Sequence, residues 1–335
     1  MVSVHGWERF LEDQSKITRF IVNSYLKNRL VHAYILEGAK GIGKLSFAKN
    51  FAKMLLCESD DRICGSCRSC QLIESEKHVN VYMIRPEGNS IKKEQIQALQ
   101  AEFSKKAAEN APKVYIIEDA EKMSVSAANS LLKFLEEPMK NTYALLLTEN
   151  KEMLLPTIRS RAVVLTFTPM SREKLIEQYK SVGIHQYASI LASLTQSLNE
   201  GIRWSESEQF SSVVSLVLKT EECLLKMKMD PSIILIQNPE IFKNREFQLL
   251  YLNLLIIYYK DVLKIKLGKN DDLSFEAYKT SLCESSEVNT ISDCLRKIQI
   301  ILDTEKRLRA NANVVLCFDQ LFLRMKGGIE GCNMP

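Results

Sequence analysis

The fold of this chain is decided by the segment Val31-His32-Ala33-Tyr34-Ile35-Leu36-Glu37-Gly38-Ala39-Lys40-Gly41-Ile42-Gly43-Lys44-Leu45-Ser46. A short apolar run gives way to a glycine-rich turn, and a helical pattern follows. Its spacing G-x-x-x-x-G-K is typical of a loop whose backbone N–H groups and lysine surround phosphate groups at the start of a helix. The candidate phosphate-binding residues are Gly38, Gly41, Gly43 and Lys44.

The position after the lysine departs from this motif. A Ser or Thr hydroxyl normally stands there and holds Mg²⁺, whereas Leu45 has no oxygen to offer. Ser46 does not replace it, because one step along a helix turns a side chain by about 100°. We therefore expect a nucleotide-binding scaffold whose magnesium chemistry is weakened.

The size and composition are those of a globular protein with more than one domain. The chain has 335 residues, of which 46% are hydrophobic, and a formal net charge of +4. This length predicts two or three domains, and the mild charge neither requires nor excludes a nucleic-acid partner. Because the sequence has no apolar run of about 18 residues and no secretory leader pattern, we expect a cytoplasmic protein without a membrane partner.

Strand-like apolar runs alternate with helical patterns through the first half of the chain. Besides the run before the phosphate loop, strands are predicted at 80–84, 113–117, 143–148 and 163–167. This alternation predicts an α/β domain with a parallel sheet covered on both faces. After Pro169 the sequence has only helical patterns, with long ones at 247–267 and 291–325.

An acidic pair, Glu118 and Asp119, follows the predicted strand at 113–117. In P-loop ATPases, carboxylates at this point hold the Mg²⁺ shell and orient the attacking water, in the order Asp then Glu. The order here is reversed, and a displacement of about 1 Å costs roughly 10²-fold in rate. The pair is a candidate nucleotide site with poor hydrolysis, and a solvated strand end is the alternative.

Four of the nine cysteines are grouped in one polar segment, and they are Cys57, Cys64, Cys67 and Cys70. Four thiolates on a short loop can close a tetrahedral zinc site, which also supplies the folding free energy that such a loop lacks. The spacing predicts a structural zinc module at 57–70. An iron–sulfur cluster or redox-active thiols are the alternatives. The other cysteines, including Cys332, are expected to be buried thiols.

An arginine pair lies in the segment Thr157-Ile158-Arg159-Ser160-Arg161. Such a pair is ordinarily solvated surface. At the edge of an ATPase domain, however, an arginine can reach the γ-phosphate bound by a neighbouring subunit and stabilise the transition state in trans.

These features resemble the AAA+ subunits of bacterial replicative clamp loaders. The resemblance rests on the run Arg29–Tyr34, the phosphate loop, the four-cysteine insertion, the acidic strand end and Ser160-Arg161. It covers Trp7 to Phe167, whereas the helical remainder agrees in layout. Within this family, the chain is most similar to the delta prime type of DNA polymerase III subunit.

The resemblance implies three domains and a set of partners. The domains are an AAA+ P-loop domain at 1–168, a small helical lid at 169–230 and an all-α collar at 231–330 that joins a five-subunit ring. The partners are the gamma or tau subunits and the delta subunit. Through the complex, they are also a sliding clamp and primed DNA, on which the ring places the clamp during replication.

By the same resemblance, Arg161 supplies an arginine finger in trans, although Ala162 replaces the cysteine of the family's Ser-Arg-Cys motif. Thr148 stands where ATPase members carry a polar sensor residue, and Glu149 adds a negative charge beside it. The departures at Leu45, at Glu118-Asp119 and at Glu149 imply a subunit that does not hydrolyse ATP efficiently. We expect bound zinc and only weak binding of ATP or ADP.

Other interpretations stay open at this point. A gamma-type clamp-loader subunit that hydrolyses ATP is the enzymatic alternative, and Leu45 argues against it. A zinc-finger nucleic-acid binder is disfavoured because the cysteine loop lacks interleaved basic and aromatic residues. A P-loop nucleotide kinase leaves the long helical C-terminal third unexplained.

Overall fold

The computed structural model describes residues 6–60, 62–105, 111–226 and 233–326. The chain divides into two compact units, 1–170 and 171–335. The further division of the second unit into a lid at 169–230 and a collar at 231–330 stays a prediction. Cys332 lies outside the described residues.

The first unit is built on a five-stranded sheet whose strands pair in parallel. The strands are β1 (Ala33–Glu37), β2 (Val81–Ile84), β3 (Lys113–Ile117), β4 (Thr142–Thr148) and β5 (Val163–Thr166). They are arranged in the order β2-β3-β4-β1-β5. β1 therefore lies between two partners, and its last residue, Glu37, stands opposite Thr148 and Thr166.

Helices cover both faces of this sheet. In the described part of the unit they are α1 (Glu8–Asp13), α2 (Ser15–Leu26), α3 (Lys44–Leu56), α4 (Arg68–Glu74), α5 (Lys93–Lys105), α6 (Val125–Glu136) and α7 (Pro156–Arg159). Successive strand residues point to opposite faces. Tyr34 belongs to a core with Phe47 of α3, and Ile35 belongs to a second core with Leu131 of α6. Both faces are buried, which confirms the predicted α/β class.

The second unit is all-α in its described parts, 171–226 and 233–326. Its helices are α8 (Arg172–Ser181), α9 (Ala188–Leu194), α10 (Leu198–Ser205), α11 (Glu208–Lys226), α12 (Ile233–Gln237), α13 (Pro239–Lys243), α14 (Arg245–Lys266), α15 (Lys279–Val288), α16 (Ile291–Arg309) and α17 (Val314–Met325). The central helix of this unit is α14, and most of its side chains are buried against α11, α15 and α16. The predicted helical remainder is confirmed.

Some element boundaries differ from the sequence prediction. The stretch 291–325 forms two helices because Asn311 has φ +61° and the side chain of Asn313 caps α17 by accepting the N–H of Leu316. Helix α4 was not predicted. It begins after Cys67, whose sulfur accepts the N–H of Cys70. None of the described helices combines the length and apolar character that crossing a membrane requires.

Candidate functional site

The phosphate loop depends on glycine at three positions. Gly41 and Gly43 have φ of +80° and +98°, a region that side chains disfavour. A Cβ on Gly38 would lie 2.9 Å from the Cβ of Phe167 and 3.2 Å from Cγ2 of Ile42. The chain can therefore turn directly from β1 into α3, so that the unpaired N–H groups of the first helical turn border the loop.

The side chain of Lys44 folds back onto its own loop. Its Nζ donates hydrogen bonds to the carbonyl oxygens of Gly38 and Ala39, the latter at 3.0 Å. Burial lowers the pKa of Lys44, and the charges of Glu149 and Glu121 oppose this shift. A phosphate group entering the loop would have to replace the carbonyl contacts of this ammonium group.

Leu45 occupies the position where a Mg²⁺-binding hydroxyl is expected. Its side chain is half-buried and packs against the apolar core on the α3 face of the sheet. Ser46, the next residue, is exposed. The start of α3 therefore presents a packed leucine in place of a magnesium ligand.

The two acidic residues after β3 each have a cationic partner. Nε of Arg85 donates to Oε1 of Glu118 at 2.7 Å, and the N–H of Glu118 donates to the carbonyl oxygen of Ile84 at 2.9 Å. Both contacts lie toward β2, on the side of β3 away from β1 and the phosphate loop. Asp119 forms an ion pair with Lys122 at 2.7 Å. Both carboxylates are thus already engaged.

A chain of ion pairs leads from Glu118 to α4, the helix that contains Cys70. Arg85 donates to both carboxylate oxygens of Glu76 at 2.8 Å, and Glu76 pairs with Lys49 of α3 at 3.1 Å. Glu74 of α4 pairs with Lys49 at 3.7 Å and with Lys53 at 2.6 Å. We call this set the Arg85 network, and its members are Lys53, Glu74, Lys49, Glu76, Arg85 and Glu118.

Thr148 contributes mainly through its backbone. Its carbonyl oxygen accepts the N–H of Gly38 at 3.1 Å, which holds the start of the loop against β4. Its hydroxyl donates to the carbonyl oxygen of Asn150 at 3.1 Å and accepts the N–H of the same residue at 3.2 Å. The hydroxyl is therefore used within its own turn.

Glu121 is a residue of the site that the sequence patterns did not identify. It lies in the 3-10 turn Ala120–Lys122, and its Oε2 is buried without a hydrogen-bond partner among the described residues. Its charge and that of Glu149 both act on Lys44. The only available signal in the sequence was its position three residues after Glu118, and that spacing is not diagnostic.

The four cysteine sulfurs converge. All lie within 4.8 Å of one another, and Cys57 Sγ is 3.6 Å from that of Cys64 and 3.8 Å from that of Cys67. Sulfurs held tetrahedrally at about 2.3 Å from zinc lie about 3.8 Å apart. The N–H of Cys67 donates to the sulfur of Cys64, and this bond together with hydrogen bonds from Ser66 lowers the pKa of that thiol to about 6. The donor set and its spacing fit a tetrahedral metal site.

Arg161 follows α7 and lies against α6. Its Nη2 is 2.8 Å from Oε1 of Glu136, and its Nη1 donates to the carbonyl oxygen of Thr157 at 2.9 Å. The side chain remains 36% exposed. Arg159, by contrast, pairs with Glu152 and has a buried Nε without a partner among the described residues.

Comparison with known proteins assigns the family. The family model described as DNA polymerase III, delta subunit, matches residues 13–171. The DNA polymerase III subunit delta' of Bacillus subtilis is 39% identical over 330 residues, which cover 96% of this chain and 99% of that protein. The chain belongs to the delta' family of DNA polymerase III subunits.

Further relatives agree with delta' membership. The Escherichia coli subunit delta' is 28% identical over 201 residues, which cover 56% of this chain and 60% of that protein. The tau subunit of Bacillus subtilis is 28% identical over 220 residues, or 63% of this chain and 39% of that protein. The crystal structure of a gamma subunit-related protein from Thermotoga maritima covers 91% of this delta' chain and 98% of its own, with TM-score 0.50 and 17% identity. This likeness confirms the predicted AAA+ fold.

We predict that Glu76→Gln destabilises this delta' chain at pH 7 more than at pH 3. The hydrogen bonds from Arg85, with the charge of Lys49, hold the pKa of Glu76 at about 2, well below its ordinary value. Such a carboxylate stabilises the fold above its unfolded pKa, and the contribution is lost as the pH falls toward the folded pKa. Chemical denaturation should show a loss of about 1–2 kcal/mol at pH 7.

Glu87→Gln is the matched control, because Glu87 is 66% exposed and lies 3.9 Å from its partner Lys92. It should change the free energy of unfolding by less than about 0.5 kcal/mol at either pH. Equal losses for the two variants, or a Glu76→Gln loss that does not shrink on acidification, would contradict a stabilising Arg85 network.

Proposed function

We propose that this chain is the delta' subunit of a clamp loader, which helps place a sliding clamp on primed DNA and does not itself hydrolyse ATP efficiently. The observation that carries the proposal is the 39% identity to a delta' subunit over nearly the whole chain. The relatives named tau and tau/gamma support partners of that type. The delta subunit, the clamp and DNA are further proposed partners.

The chemistry of the loop supports a non-hydrolysing role. Phosphoryl transfer in P-loop enzymes needs Mg²⁺, held by a hydroxyl after the lysine and by a carboxylate at the strand end. Leu45 lacks the hydroxyl, and Glu118 is already paired with Arg85. Even a small displacement of such groups costs orders of magnitude in rate. We therefore assign no competent ATPase site to this chain.

Weak nucleotide binding remains part of the proposal. Gly38, Gly41 and Gly43 retain the loop geometry, and the helix N-terminus behind them favours phosphate. ATP or ADP would have to draw Lys44 off the carbonyl groups that it now contacts. The adjacent charges of Glu121 and Glu149 oppose the binding of a nucleotide polyanion.

Arg161 is the proposed arginine finger. It is one-third exposed, and its contacts are an ion pair and hydrogen bonds at the surface, which cost little to exchange for a phosphate group. A guanidinium is suited to this role because its planar fork matches phosphate oxygens. Glu136 would hold the side chain in place until the neighbouring subunit presents its nucleotide.

Zinc is the proposed ligand of Cys57, Cys64, Cys67 and Cys70. When bound, it would supply a structural cross-link for the loop between α3 and α4. Tetrathiolate coordination leaves no open position, so we assign the metal no catalytic role. The four residues would hold it through their sulfurs.

The second candidate function is a gamma-type ATPase. The identity with the tau subunit of Bacillus subtilis favours it, but this match covers only 63% of the chain. Leu45 and the engagement of Glu118 by Arg85 disfavour it.

We predict that Arg161→Ala lowers the clamp-stimulated ATPase of a reconstituted complex. At the site served by this arginine, turnover should fall on the order of 10³-fold, because an arginine finger stabilises charge in the transition state. The total ATPase rate of the complex should then fall by the fraction of turnover that this site contributes. Steady-state phosphate release from the complex measures the effect.

The matched control is Arg9→Ala, which removes an arginine that is 64% exposed on α1. It should leave the rate unchanged, and both variants should unfold at the temperature of the parent chain. A full clamp-stimulated rate with Arg161→Ala would exclude the trans role while leaving the family assignment intact.

We predict one zinc ion per chain, and we expect chelation to loosen 57–70 without unfolding the α/β core. The physical reason is that the strands are buried between α3 on one face and α6 on the other, and among its described residues the cysteine loop contributes only Ile63 to these cores. Elemental analysis counts the metal, and circular dichroism with hydrogen exchange of 57–70 follows its removal.

Cys64→Ser should abolish stoichiometric zinc, whereas Cys283→Ser, which replaces another half-buried cysteine, should not. A parent chain that contains no metal would contradict the zinc assignment. A global loss of helical signal on chelation would contradict the local role.

A further inference from the structure

The exposed face of α2 combines cations with apolar side chains. At about 100° per residue, its exposed positions fall within one arc of about 120°. They are Lys16, Arg19, Phe20, Asn23 and Leu26, followed by Lys27 at the end of the helix. The opposite face carries Ile17, Thr18 and Ile21, which are buried. The fold of the first unit therefore uses one side of α2 and leaves the other side available.

Most cations of this face have no acidic neighbours in the sequence, and the exception is Lys16, which follows Glu12 and Asp13 by four and three residues. Between Asp13 and Glu37 the chain has no Asp or Glu, and Arg29 adds a further exposed cation just beyond the helix. None of Lys16, Arg19, Lys27 and Arg29 forms an ion pair with another described residue. Several cations elsewhere in the same unit are paired, as in the Arg85 network. The face therefore carries a local excess of positive charge, in a chain whose net charge is +4.

Two large apolar side chains lie among these cations. Phe20 is 43% exposed and Leu26 is 47% exposed. An exposed aromatic ring between basic residues is the combination that binds single-stranded nucleic acids, because cations contact phosphates while bases stack on the ring. In duplex DNA the bases are stacked on one another, so a ring on the surface of a helix finds no base face to cover.

We propose that the exposed face of α2 binds single-stranded DNA. Lys16, Arg19 and Lys27 contact phosphates along about 16 Å of helix, and an unstacked base lies on Phe20. This inference rests on the proposed function for its choice of DNA, since primed DNA carries a single-stranded template. It goes further because it assigns this chain a DNA contact of its own.

The test measures binding of the full chain to a fluorescently labelled oligothymidine by anisotropy, between 50 and 200 mM salt. For single strands, the logarithmic salt slope is about 0.7 per phosphate contact. Lys16→Gln with Lys27→Gln should therefore lower the slope by about 1.4. Between 50 and 200 mM salt, the affinity of this double variant should then fall by a factor about sevenfold smaller than the affinity of the parent chain does. Phe20→Leu should weaken binding about tenfold without changing the slope.

The matched control is Lys140→Gln with Lys180→Gln, which removes the same charge from two exposed lysines on other parts of the chain. It should leave the slope and the affinity close to those of the parent. All the substituted side chains are exposed, so thermal unfolding should confirm that every variant folds.

Three results would overturn the proposal. They are equal slopes for the two double variants, an unchanged affinity with Phe20→Leu, and equal or tighter binding of a duplex of the same length. The last two would indicate a backbone contact without base stacking. The assay needs neither partner subunits nor ATP hydrolysis, so its outcome is independent of the Arg161→Ala test of the proposed function.

Discussion

The carboxylate of Glu37 fixes the point at which the phosphate loop leaves the sheet. It accepts hydrogen bonds from Nζ of Lys151 at 3.0 Å and from the hydroxyl of Thr166 at 2.9 Å. Burial alone would raise the pKa of Glu37, but these hydrogen bonds and the charge of Lys151 lower it on balance. The ends of β1 and β5 and the turn after β4 are thereby joined, and the close contact of Gly38 with Phe167 then sets the path of the loop.

The charged side chains around the phosphate loop determine what the loop can bind. Lys44 is held by its own loop, and Glu118 is turned toward β2 by Arg85. The frame of a P-loop ATPase is thus kept, while the groups that would hold magnesium are missing or engaged elsewhere. The same Arg85 network ties the helix of the cysteine segment to the sheet, so the charges that take Glu118 from the loop also support the fold. The functions that we propose for this chain lie on the surface of the first unit, at Arg161 and along α2.

Much of the fold could be predicted from the sequence, because buried parallel strands and the glycine-rich turn follow strong local rules. The convergence of the four cysteines could also be predicted, because they lie close together in the sequence at a spacing typical of metal ligands. The pairing of Arg85 with Glu118 could not be predicted, since the two residues are 33 positions apart and ion pairs have no sequence period. Glu121 was missed because a single acid in a short turn carries no signal until the fold brings it near Lys44.

The central claim is that this chain keeps a phosphate loop without magnesium chemistry. The most direct test is calorimetric titration of ATP into the isolated chain, with Mg²⁺ and with EDTA, followed by an assay for released phosphate. We predict weak binding that is the same in both conditions, with no turnover above background. Tight Mg²⁺-dependent binding, together with turnover that Lys44→Ala abolishes, would contradict the claim.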